Sequence, residues 1–343
     1  MKIYFDSYSS NLENVADRRR FGGYLKNKEN LDVLLVYDIL IADVIVICQN
    51  SDFSFWLTYK GSAKLIFDFS DPYLNEPLSL NKIFRGCYKY IVGKESKLNF
   101  NYLGLIQRLL QFVDVVVCSS EIQKEMVYQF NKNVKVIYDY QQCDITLTKS
   151  NYDISPLNIN ILWEGISSNL VTLKTYKSLF ENLNNNFNIK YHFITDMEKP
   201  LIGGIFKYST YKYLKGILPN SSIFYLYSWN LEMFSLLASN SDIAIIPLNL
   251  NDPYQNAKSP NKLFLLWRLG IPVVVSASDA YKSEMINAGL DLYCYSDNDW
   301  LEKINQITSS VPQRIKIVNQ AKSYVESRFS NKDLNQLWEE VLL

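Results

Sequence analysis

Short apolar segments rich in β-branched residues alternate along this chain with longer segments of helical periodicity. In the first half of the 343 residues the strand-like segments are Lys2 to Phe5, Val44 to Cys48, Leu65 to Phe67, Val115 to Cys118 and Val134 to Tyr138. Between them apolar residues recur at every third or fourth position, as in Leu105, Leu109 and Phe112. This alternation predicts the α/β class, in which helices cover a parallel sheet.

The same alternation restarts after a polar segment without either periodicity, Gln141 to Pro156, which we interpret as a linker. The strands predicted beyond it are Ile159 to Trp163, Lys190 to Thr195, Ile223 to Leu226, Ile243 to Pro247 and Pro272 to Ser276. A chain of this length has room for about two domains. We therefore predict two doubly wound domains, residues 1–150 and 151–328, followed by a chain-end segment, residues 329–343.

Composition and charge exclude several classes of protein. The chain is 48% hydrophobic and 20% charged, which is typical of a packed globular protein and not of a disordered one. Lys plus Arg and Asp plus Glu are equal at 35 each, so no overall field attracts nucleic acid, and any anion site must be local. A single histidine, His192, argues against a histidine-based metal site. We expect neither a metal nor a cofactor.

The cysteines and the hydropathy pattern indicate a compartment. Five cysteines without paired or metal-like spacing fit a reducing environment. The longest apolar candidate, Leu31 to Cys48, is interrupted by Asp32, Asp38 and Asp43, so no membrane-spanning segment is predicted. We expect a cytoplasmic protein, and the sequence is compatible with peripheral contact at the inner face of the cell membrane.

The most informative helix start is Ser259-Pro260, in which serine is a favoured N-cap and proline a favoured first helical residue. The predicted helix, Pro260 to Leu269, follows a buried strand and a polar loop. Ligands of open parallel sheets bind beyond the carboxyl ends of the strands, and free amides at a helix start suit a phosphate. Lys258 and Lys262 flank this start and would add charge-assisted bonds to a diphosphate. The competing interpretation is two solvated lysines beside an ordinary helix cap.

A second small-residue turn, Gly165 to Asn169, also follows a predicted strand and opens a helix. Small residues let a ligand approach the backbone closely, although glycine and serine are common in ordinary turns as well. Its Gly165, Ser167 and Ser168 are candidate ligand contacts. Two such turns facing one interdomain cleft would form a binding site for an anionic ligand.

The order and spacing of several segments in the second half resemble a known family. These segments are Trp163-Glu164-Gly165, Ser168-Asn169, Tyr227-Ser228-Trp229, Asp242 to Leu248, Lys258 to Phe264, Leu269 to Val274 and Tyr324 to Ser330. Together they resemble the nucleotide-sugar domain of GT-B glycosyltransferases of group 1 (family 4-like). The resemblance spans roughly Ile159 to Leu343.

The resemblance implies two Rossmann-like domains facing a cleft, with the acceptor in the N-terminal domain and the nucleotide sugar in the C-terminal one. It also implies a final helix that crosses back to the first domain. The apolar stripe such a helix needs is present as Leu334, Leu337, Trp338 and Val341.

The resemblance also implies roles for individual residues. The predicted catalytic residues are Asp17, which would orient the acceptor, and Lys258 and Lys262, which would stabilise the leaving diphosphate. The predicted donor-binding residues are Gly165, Ser167, Ser168, Lys174, Trp229, Ser259, Asn261 and Leu265. Two alternatives stay open: Asp17 as part of a solvated helix start, and Trp229 as a core residue instead of a platform for the base.

The sequence departs from the family at Leu265. Five residues before the glycine the family commonly carries a glutamate that accepts bonds from the ribose hydroxyls, which a leucine cannot do. The nucleoside is then held otherwise, or is one with fewer ribose hydroxyls, such as a deoxythymidine diphosphate sugar, or the protein is inactive. Glutamate at position 265 should improve ribonucleotide binding if the ribose still passes this helix.

The leading hypothesis is a glycosyltransferase that moves a sugar from a nucleotide-diphosphate donor to a surface polysaccharide or lipid-linked glycan. We expect no nucleic-acid partner. One alternative is a non-catalytic homologue that binds a nucleotide sugar or a partner protein; another is an epimerase or phosphorylase of similar fold. The hypothesis requires that the start of the helix at Ser259 is not buried beneath neighbouring side chains.

Overall fold

The computed structural model describes residues 1–29, 31–76, 80–154, 158–201 and 206–343. The chain divides into two compact units. Unit 1 comprises Met1–Cys143, Ala257–Asn261 and Phe329–Leu343, and unit 2 comprises Asp144–Asn256 and Lys262–Arg328. The first passage from unit 1 to unit 2 lies within the predicted linker, whose last two residues, 155 and 156, fall outside the described residues.

The described residues of unit 1 form a six-stranded sheet in which all neighbouring strands are parallel. Its strands are β1 (Lys2–Asp6), β2 (Leu34–Leu35), β3 (Val44–Cys48), β4 (Lys64–Phe69), β5 (Val115–Cys118) and β6 (Val134–Val136). The strand order is β2-β1-β3-β4-β5-β6. Since β2 and β3 lie on opposite sides of β1, the direction of winding reverses there.

Unit 2 contains a second six-stranded parallel sheet and an antiparallel hairpin. The strands are β7 (Ile159–Glu164), β8 (Ile189–Thr195), β9 (Glu198–Leu201), β10 (Phe206–Ser209), β11 (Ile223–Ser228), β12 (Ile243–Ile246), β13 (Val273–Ser276) and β14 (Tyr293–Cys294). The sheet order is β11-β8-β7-β12-β13-β14, and β9 pairs with β10 in the hairpin. In this sheet the winding reverses between β7 and β12.

Helices connect the strands in both units. They are α1 (Val15–Arg19), α2 (Phe21–Asn27), α3 (Phe53–Trp56), α4 (Leu80–Ile91), α5 (Tyr102–Phe112), α6 (Glu121–Val127), α7 (Lys177–Asn186), α8 (Thr210–Ile217), α9 (Leu231–Asn240), α10 (Pro253–Asn256), α11 (Asn261–Arg268), α12 (Asp279–Asn287), α13 (Asp297–Thr308), α14 (Val311–Arg328) and α15 (Asn331–Leu342). Shorter 3-10 segments lie at Ile39–Ile41, Tyr73–Asn75 and Gln142–Asp144, and a longer one at Ser167–Tyr176. No helix of the described chain is long and apolar enough to cross a bilayer.

The central strands are buried on both faces, which explains their composition. Every residue of β3 and β5 is buried. A parallel strand covered on both faces has no exposed side, so it carries a continuous apolar run instead of alternating polar residues. In unit 1 the two faces of the sheet contribute to two separate apolar clusters.

Helix α15 completes one of these clusters in unit 1. It starts with a capping box in which Ser330 and Asp333 exchange hydrogen bonds. Trp338 is 0% exposed, and its ring centroid lies 5.1 Å from that of Phe21 on α2. The predicted apolar stripe of the chain-end helix is therefore confirmed as its buried face.

Three local expectations were wrong or incomplete. The helix after Gly165 begins as a 3-10 segment, Ser167–Tyr176, before α7. Helix α11 begins at Asn261, one residue after the predicted proline. The strands β2, β9, β10 and β14 had no predicted counterpart, because a two-residue edge strand and a polar hairpin carry little periodic signal.

Candidate functional site

The reversal of winding in unit 2 marks the place where a doubly wound sheet binds ligands. Crossovers leave in opposite directions from β7 and β12, which opens a crevice beyond the carboxyl ends of these two neighbouring strands. Strand β7 ends at Glu164, and Gly165 follows directly. The predicted glycine turn therefore lies at the topological switch point of unit 2.

A glutamate, a lysine and a tryptophan meet at this end of β7. Lys262 Nζ, on the first turn of α11, donates to the Glu164 carbonyl oxygen at 2.6 Å and lies 3.3 Å from Glu164 Oε2. Trp229, which follows β11, donates from Nε1 to Glu164 Oε1 at 3.2 Å. Three segments far apart in sequence are thus joined through one carboxylate, and we call these three residues the Glu164 cluster.

The close approach of Lys262 explains the glycine in the turn. A Cβ atom on Gly165 would lie 3.1 Å from Lys262 Nζ and 3.1 Å from the Trp163 ring. Contacts of that length are tighter than most real Cβ contacts, so a side chain at position 165 would push the lysine or the ring away. Gly165 therefore permits an ammonium group to sit against the backbone at the carboxyl edge of the sheet.

The other predicted donor contacts of the turn differ in exposure. Ser167 is buried; its amide donates to Asp196 Oδ2 at 2.9 Å, which ties the turn to the chain after β8. Ser168 is exposed. Lys174 is also exposed and lies with Nζ 5.3 Å from the centre of the Tyr213 ring. Of these three residues, Ser168 and Lys174 are open to a ligand, and Ser167 has a structural hydrogen bond.

The residues immediately before α11 pack within unit 1. Ser259 Oγ donates to the Ser119 carbonyl oxygen at 2.7 Å, and Asn261 Oδ1 accepts from the Asp139 amide at 3.3 Å. Lys258, Ser259 and Asn261 remain half-exposed, whereas Pro260 is buried. The helix start is thus fixed by hydrogen bonds without being covered. The predicted N-cap serine uses its hydroxyl as a donor to Ser119.

Asp17, on α1, holds the loop after β1 by hydrogen bonds. Its side chain is 1% exposed, and its two carboxylate oxygens accept from the Tyr8 amide (2.8 Å), the Ser9 amide (2.9 Å) and Ser9 Oγ (2.8 Å). These bonds give Asp17 a loop-positioning role. The alternative of a solvated helix start is wrong because the residue is buried, and the predicted contact with an acceptor has no support from this geometry.

Leu265 is not a ligand contact. It is 2% exposed and lies among the buried residues of α11, so its side chain belongs to the core of unit 2. That a glutamate at this position would improve ribonucleotide binding stays a prediction. A carboxylate there would lose its hydration in apolar surroundings, which sets a cost in stability against it.

A buried charged group at the carboxyl edge of the unit 1 sheet was missed by the sequence analysis. Arg20 Nη2 lies 2.5 Å from Asp68 Oδ1 at the end of β4, and its Nη1 is 3.5 Å from Asp139 Oδ1. Burial raises the pKa of Asp139 to about 6, although Arg20 opposes this shift. The charged residues that follow Asp17 along the chain do not by themselves indicate that Arg20 points inward.

Glu164 belongs to the motif Trp163-Glu164-Gly165, but no role was predicted for it from the sequence. The only signal for it was its place between a predicted strand and a glycine turn, the position where side chains reach the ligand edge of a parallel sheet. Within the described part of the chain, no group of three or more His, Cys, Asp and Glu side chains could hold a metal ion.

Comparisons with known proteins concern the fold. No protein-family model and no curated protein matches the sequence. Among solved structures, sucrose-phosphate synthase from Thermosynechococcus elongatus superposes with a TM-score of 0.61 at 12% identity, covering 88% of this chain and 73% of that one. WaaG, a glycosyltransferase involved in lipopolysaccharide biosynthesis, gives 0.57 at 11% identity, covering 100% and 98%.

TarM gives a TM-score of 0.57 at 9% identity, covering 87% of this chain; this chain spans 54% of TarM. At identities this low, the superpositions establish a shared fold and nothing more. These structures are GT-B glycosyltransferases, so the predicted fold class, two Rossmann-like doubly wound domains of the GT-B kind, is confirmed.

Proposed function

We propose that this protein is a glycosyltransferase that uses a nucleotide-diphosphate sugar as donor. The observation that carries the proposal is the Glu164 cluster, in which Lys262 is held against the glycine turn at the switch point of unit 2. The site thus combines a cation, a close-approach glycine and a helix start, a combination that suits a diphosphate.

The chemistry assigns a task to each part of this site. The bond between the anomeric carbon and the diphosphate oxygen breaks, an acceptor hydroxyl forms the new bond, and its proton leaves to a base. Negative charge grows on the leaving diphosphate, and a fixed cation and helix amides stabilise it. Lys262 fills the first role and the amides of the first turn of α11 the second.

Structures of similar fold include S. aureus TarM in complex with UDP and alpha-GlcNAc-glycerol, and an E. coli protein bound with UDP-2-fluoro glucose. They support a nucleotide-sugar donor for this chain. We propose a surface polysaccharide or lipid-linked glycan as acceptor, a cytoplasmic location, and no requirement for a metal. A deoxythymidine diphosphate sugar is the specific donor candidate, because the buried Leu265 offers no acceptor to a ribose hydroxyl.

A non-catalytic nucleotide-sugar-binding protein is the second candidate. Leu265 favours it, because the buried leucine removes a carboxylate without leaving a ligand-facing side chain in its place. The two candidates differ in turnover. The non-catalytic protein would bind a donor and neither hydrolyse nor transfer it, with or without a saccharide acceptor.

The test is a thermal-shift screen of UDP, GDP and dTDP and their sugars, followed by assays of donor hydrolysis and transfer. A ligand that binds the native state raises the melting temperature by mass action. We expect Lys262→Ala to weaken binding of the preferred nucleoside diphosphate by about 1.5–3 kcal/mol, the range for a hydrogen bond to a charged group. Lys322→Ala, a change in an exposed ion pair on α14, is the matched control.

In the same assay, Glu164→Gln tests the effect of the Glu164 charge on diphosphate binding while it keeps the side-chain shape. It keeps an acceptor oxygen for Trp229 but removes the charge that neutralises Lys262, so diphosphate affinity should hold or rise. Unchanged affinity in Lys262→Ala, with Lys322→Ala also unchanged, would show that the diphosphate binds elsewhere.

A further inference from the structure

Strand β11 forms one edge of the unit 2 sheet and presents backbone groups to which a further strand can pair. It pairs with β8, and the described residues place no strand on its other side. The amide that follows the strand, that of Trp229, donates to the Thr195 carbonyl oxygen on β8 at 3.2 Å. Successive residues of a strand turn their backbone groups to opposite sides. Phe224, Leu226 and Ser228 therefore turn their amide and carbonyl groups away from β8.

The other three edges of the two six-stranded sheets are short, and one carries a charge. Strands β2 and β14 contain two residues each, and β6 contains three. The middle residue of β6, Lys135, is exposed, and its Nζ lies 3.6 Å from Glu340 Oε2. Short edge strands and lysines are the usual means by which proteins prevent pairing between sheet edges. Strand β11 has neither, since it has six residues and lies in a segment, residues 216–231, that contains no charged residue.

One face of β11 exposes apolar side chains beside this edge. Ile223, Tyr225 and Tyr227 alternate along the strand and therefore share a face. Ile223 is 46% exposed and Tyr225 43%, and Tyr227 is half-exposed. Phe224 turns to the other face, where its ring centroid lies 5.2 Å from that of Tyr211 on α8. A strand added at the edge would thus bring its own side chains against an exposed apolar row.

His192 on β8 holds the two tyrosines of this row in place. Its ring stacks on that of Tyr225 at a centroid distance of 5.3 Å and on that of Tyr227 at 5.9 Å. His192 Nε2 donates to Asn160 Oδ1 at 3.1 Å, because an amide oxygen can only accept, and Nδ1 accepts from the Tyr227 hydroxyl at 3.2 Å. Side chains that are ordered before association lose little further conformational entropy when a partner binds.

We propose that two copies of this chain associate by antiparallel pairing of their β11 strands. A twofold axis brings the same edge of both copies together, so association closes at a dimer. The register that places Tyr225 opposite Tyr225 of the second copy also places Ile223 opposite Tyr227, so the whole apolar row is covered. Phe224 of each copy then pairs with Leu226 of the other through the backbone groups that face away from β8.

The absence of charge is what favours a second copy as the partner. Residues 216–231 bring no like charges together when the strand meets its own copy, whereas like charges directly opposite each other destabilise a strand pair. The row of exposed side chains is also complementary to itself, since an aromatic ring packs well against an isoleucine or a second ring. This inference goes beyond sugar transfer and does not depend on donor binding.

Disulfide trapping tests the register. In a Cys143→Ser background, which removes the exposed native cysteine, Tyr225→Cys should give a disulfide-linked dimer on mild oxidation. Residues opposite each other at such non-hydrogen-bonded positions have Cα atoms about 4.5 Å apart, within the range of a disulfide. Ile223→Cys is the matched control, because its two copies would lie about 13 Å apart along the strands. Adding Tyr227→Cys to Ile223→Cys should restore the link.

Sedimentation velocity of the full chain over about a hundredfold range of concentration tests the association itself. We expect a reversible equilibrium between monomer and dimer. Tyr225→Lys places two ammonium groups opposite each other and should raise the dissociation constant of the dimer at least about 100-fold. Ile286→Lys, at an exposed apolar position on α12 of the same unit, should leave it unchanged. Circular dichroism establishes that both variants fold.

Four results would overturn the proposal. They are a monomer at every concentration, a dimer whose dissociation constant Tyr225→Lys leaves unchanged, assembly that continues beyond the dimer, and linkage of Ile223→Cys as efficient as that of Tyr225→Cys. Lys262→Ala should leave the dimer intact, and Tyr225→Lys should leave nucleoside-diphosphate affinity intact. Failure of this proposal is therefore distinguishable from failure of the proposed donor site.

Discussion

Leu265 shows how a single buried side chain limits what can be restored at a binding site. The residue lies in the core of unit 2, where a carboxylate in its place would lose its hydration without gaining a hydrogen-bond partner. We expect Leu265→Glu to lower the free energy of unfolding by about 3–5 kcal/mol, because it buries a charge without a partner. Urea denaturation measures this change.

Leu265→Met is the control for that experiment, since a volume-conserving apolar change should cost less than about 1.5 kcal/mol. A stable Leu265→Glu variant with improved ribonucleotide affinity would contradict the placement of this side chain in the core.

Asp139 predicts a pH dependence of stability. Burial raises its pKa to about 6 in the folded protein, from an ordinary value of 3.8. Because the folded state holds the proton more tightly, this group stabilises the fold at low pH, and its contribution is lost as the pH rises from about 4 to 6. Asp139→Asn should therefore gain stability relative to the wild type across this window, by up to about 3 kcal/mol.

Denaturation curves at pH 4, 5, 6 and 7 measure that difference. A difference that stays constant across this range would show that Asp139 titrates at its ordinary pKa.

At the scale of elements, helix α15 should contribute several kcal/mol to the stability of unit 1. Trp338 is fully buried against Phe21 and Tyr24. Truncation of a buried tryptophan typically costs about 3–5 kcal/mol, so Trp338→Ala should lower the stability of unit 1 by that amount. Leu343→Ala, at an exposed position on the same segment, should change stability by less than about 0.5 kcal/mol. Equal effects of the two changes in thermal unfolding would contradict the packing of this helix.

The elements that the sequence predicted well are those whose burial leaves a periodic pattern. Strands β3 and β5 are continuous apolar runs, and α15 carries a one-sided stripe. Strand β2 was not predictable, because a two-residue edge strand is defined by its pairing with β1 and not by its own composition. The same limit applies to β14, which exists through its pairing with β13.

Individual residues of the candidate site were predictable from the sequence, but the contacts among them were not. Gly165 and Lys262 were singled out because each follows a local signal, a turn or a helix start. The contact between Glu164 and Lys262 joins positions 98 residues apart, and it depends on the order in which the strands of unit 2 are arranged. The burial of Asp17 and Arg20 likewise depends on neighbours that local sequence does not specify.

At the scale of the whole molecule, unit 1 is discontinuous in sequence. Its core includes Leu334, Trp338, Val341 and Leu342, which follow unit 2 along the chain. A fragment of residues 1–143 should therefore lack cooperative unfolding and near-ultraviolet circular dichroism. Joining residues 329–343 to it through a flexible Gly/Ser linker should restore both, and the same chain with Trp338→Ala should not. Cooperative unfolding of residues 1–143 alone would contradict this prediction.

The discontinuity of unit 1 in sequence delays the completion of its core during biosynthesis. While the ribosome extends the chain, the sheet face that α15 will cover has no partner until unit 2 has been translated. At about 5–20 residues per second the delay is on the order of ten to forty seconds. During that interval the nascent N-terminal segment carries an uncovered apolar face, the kind of surface that chaperones shield.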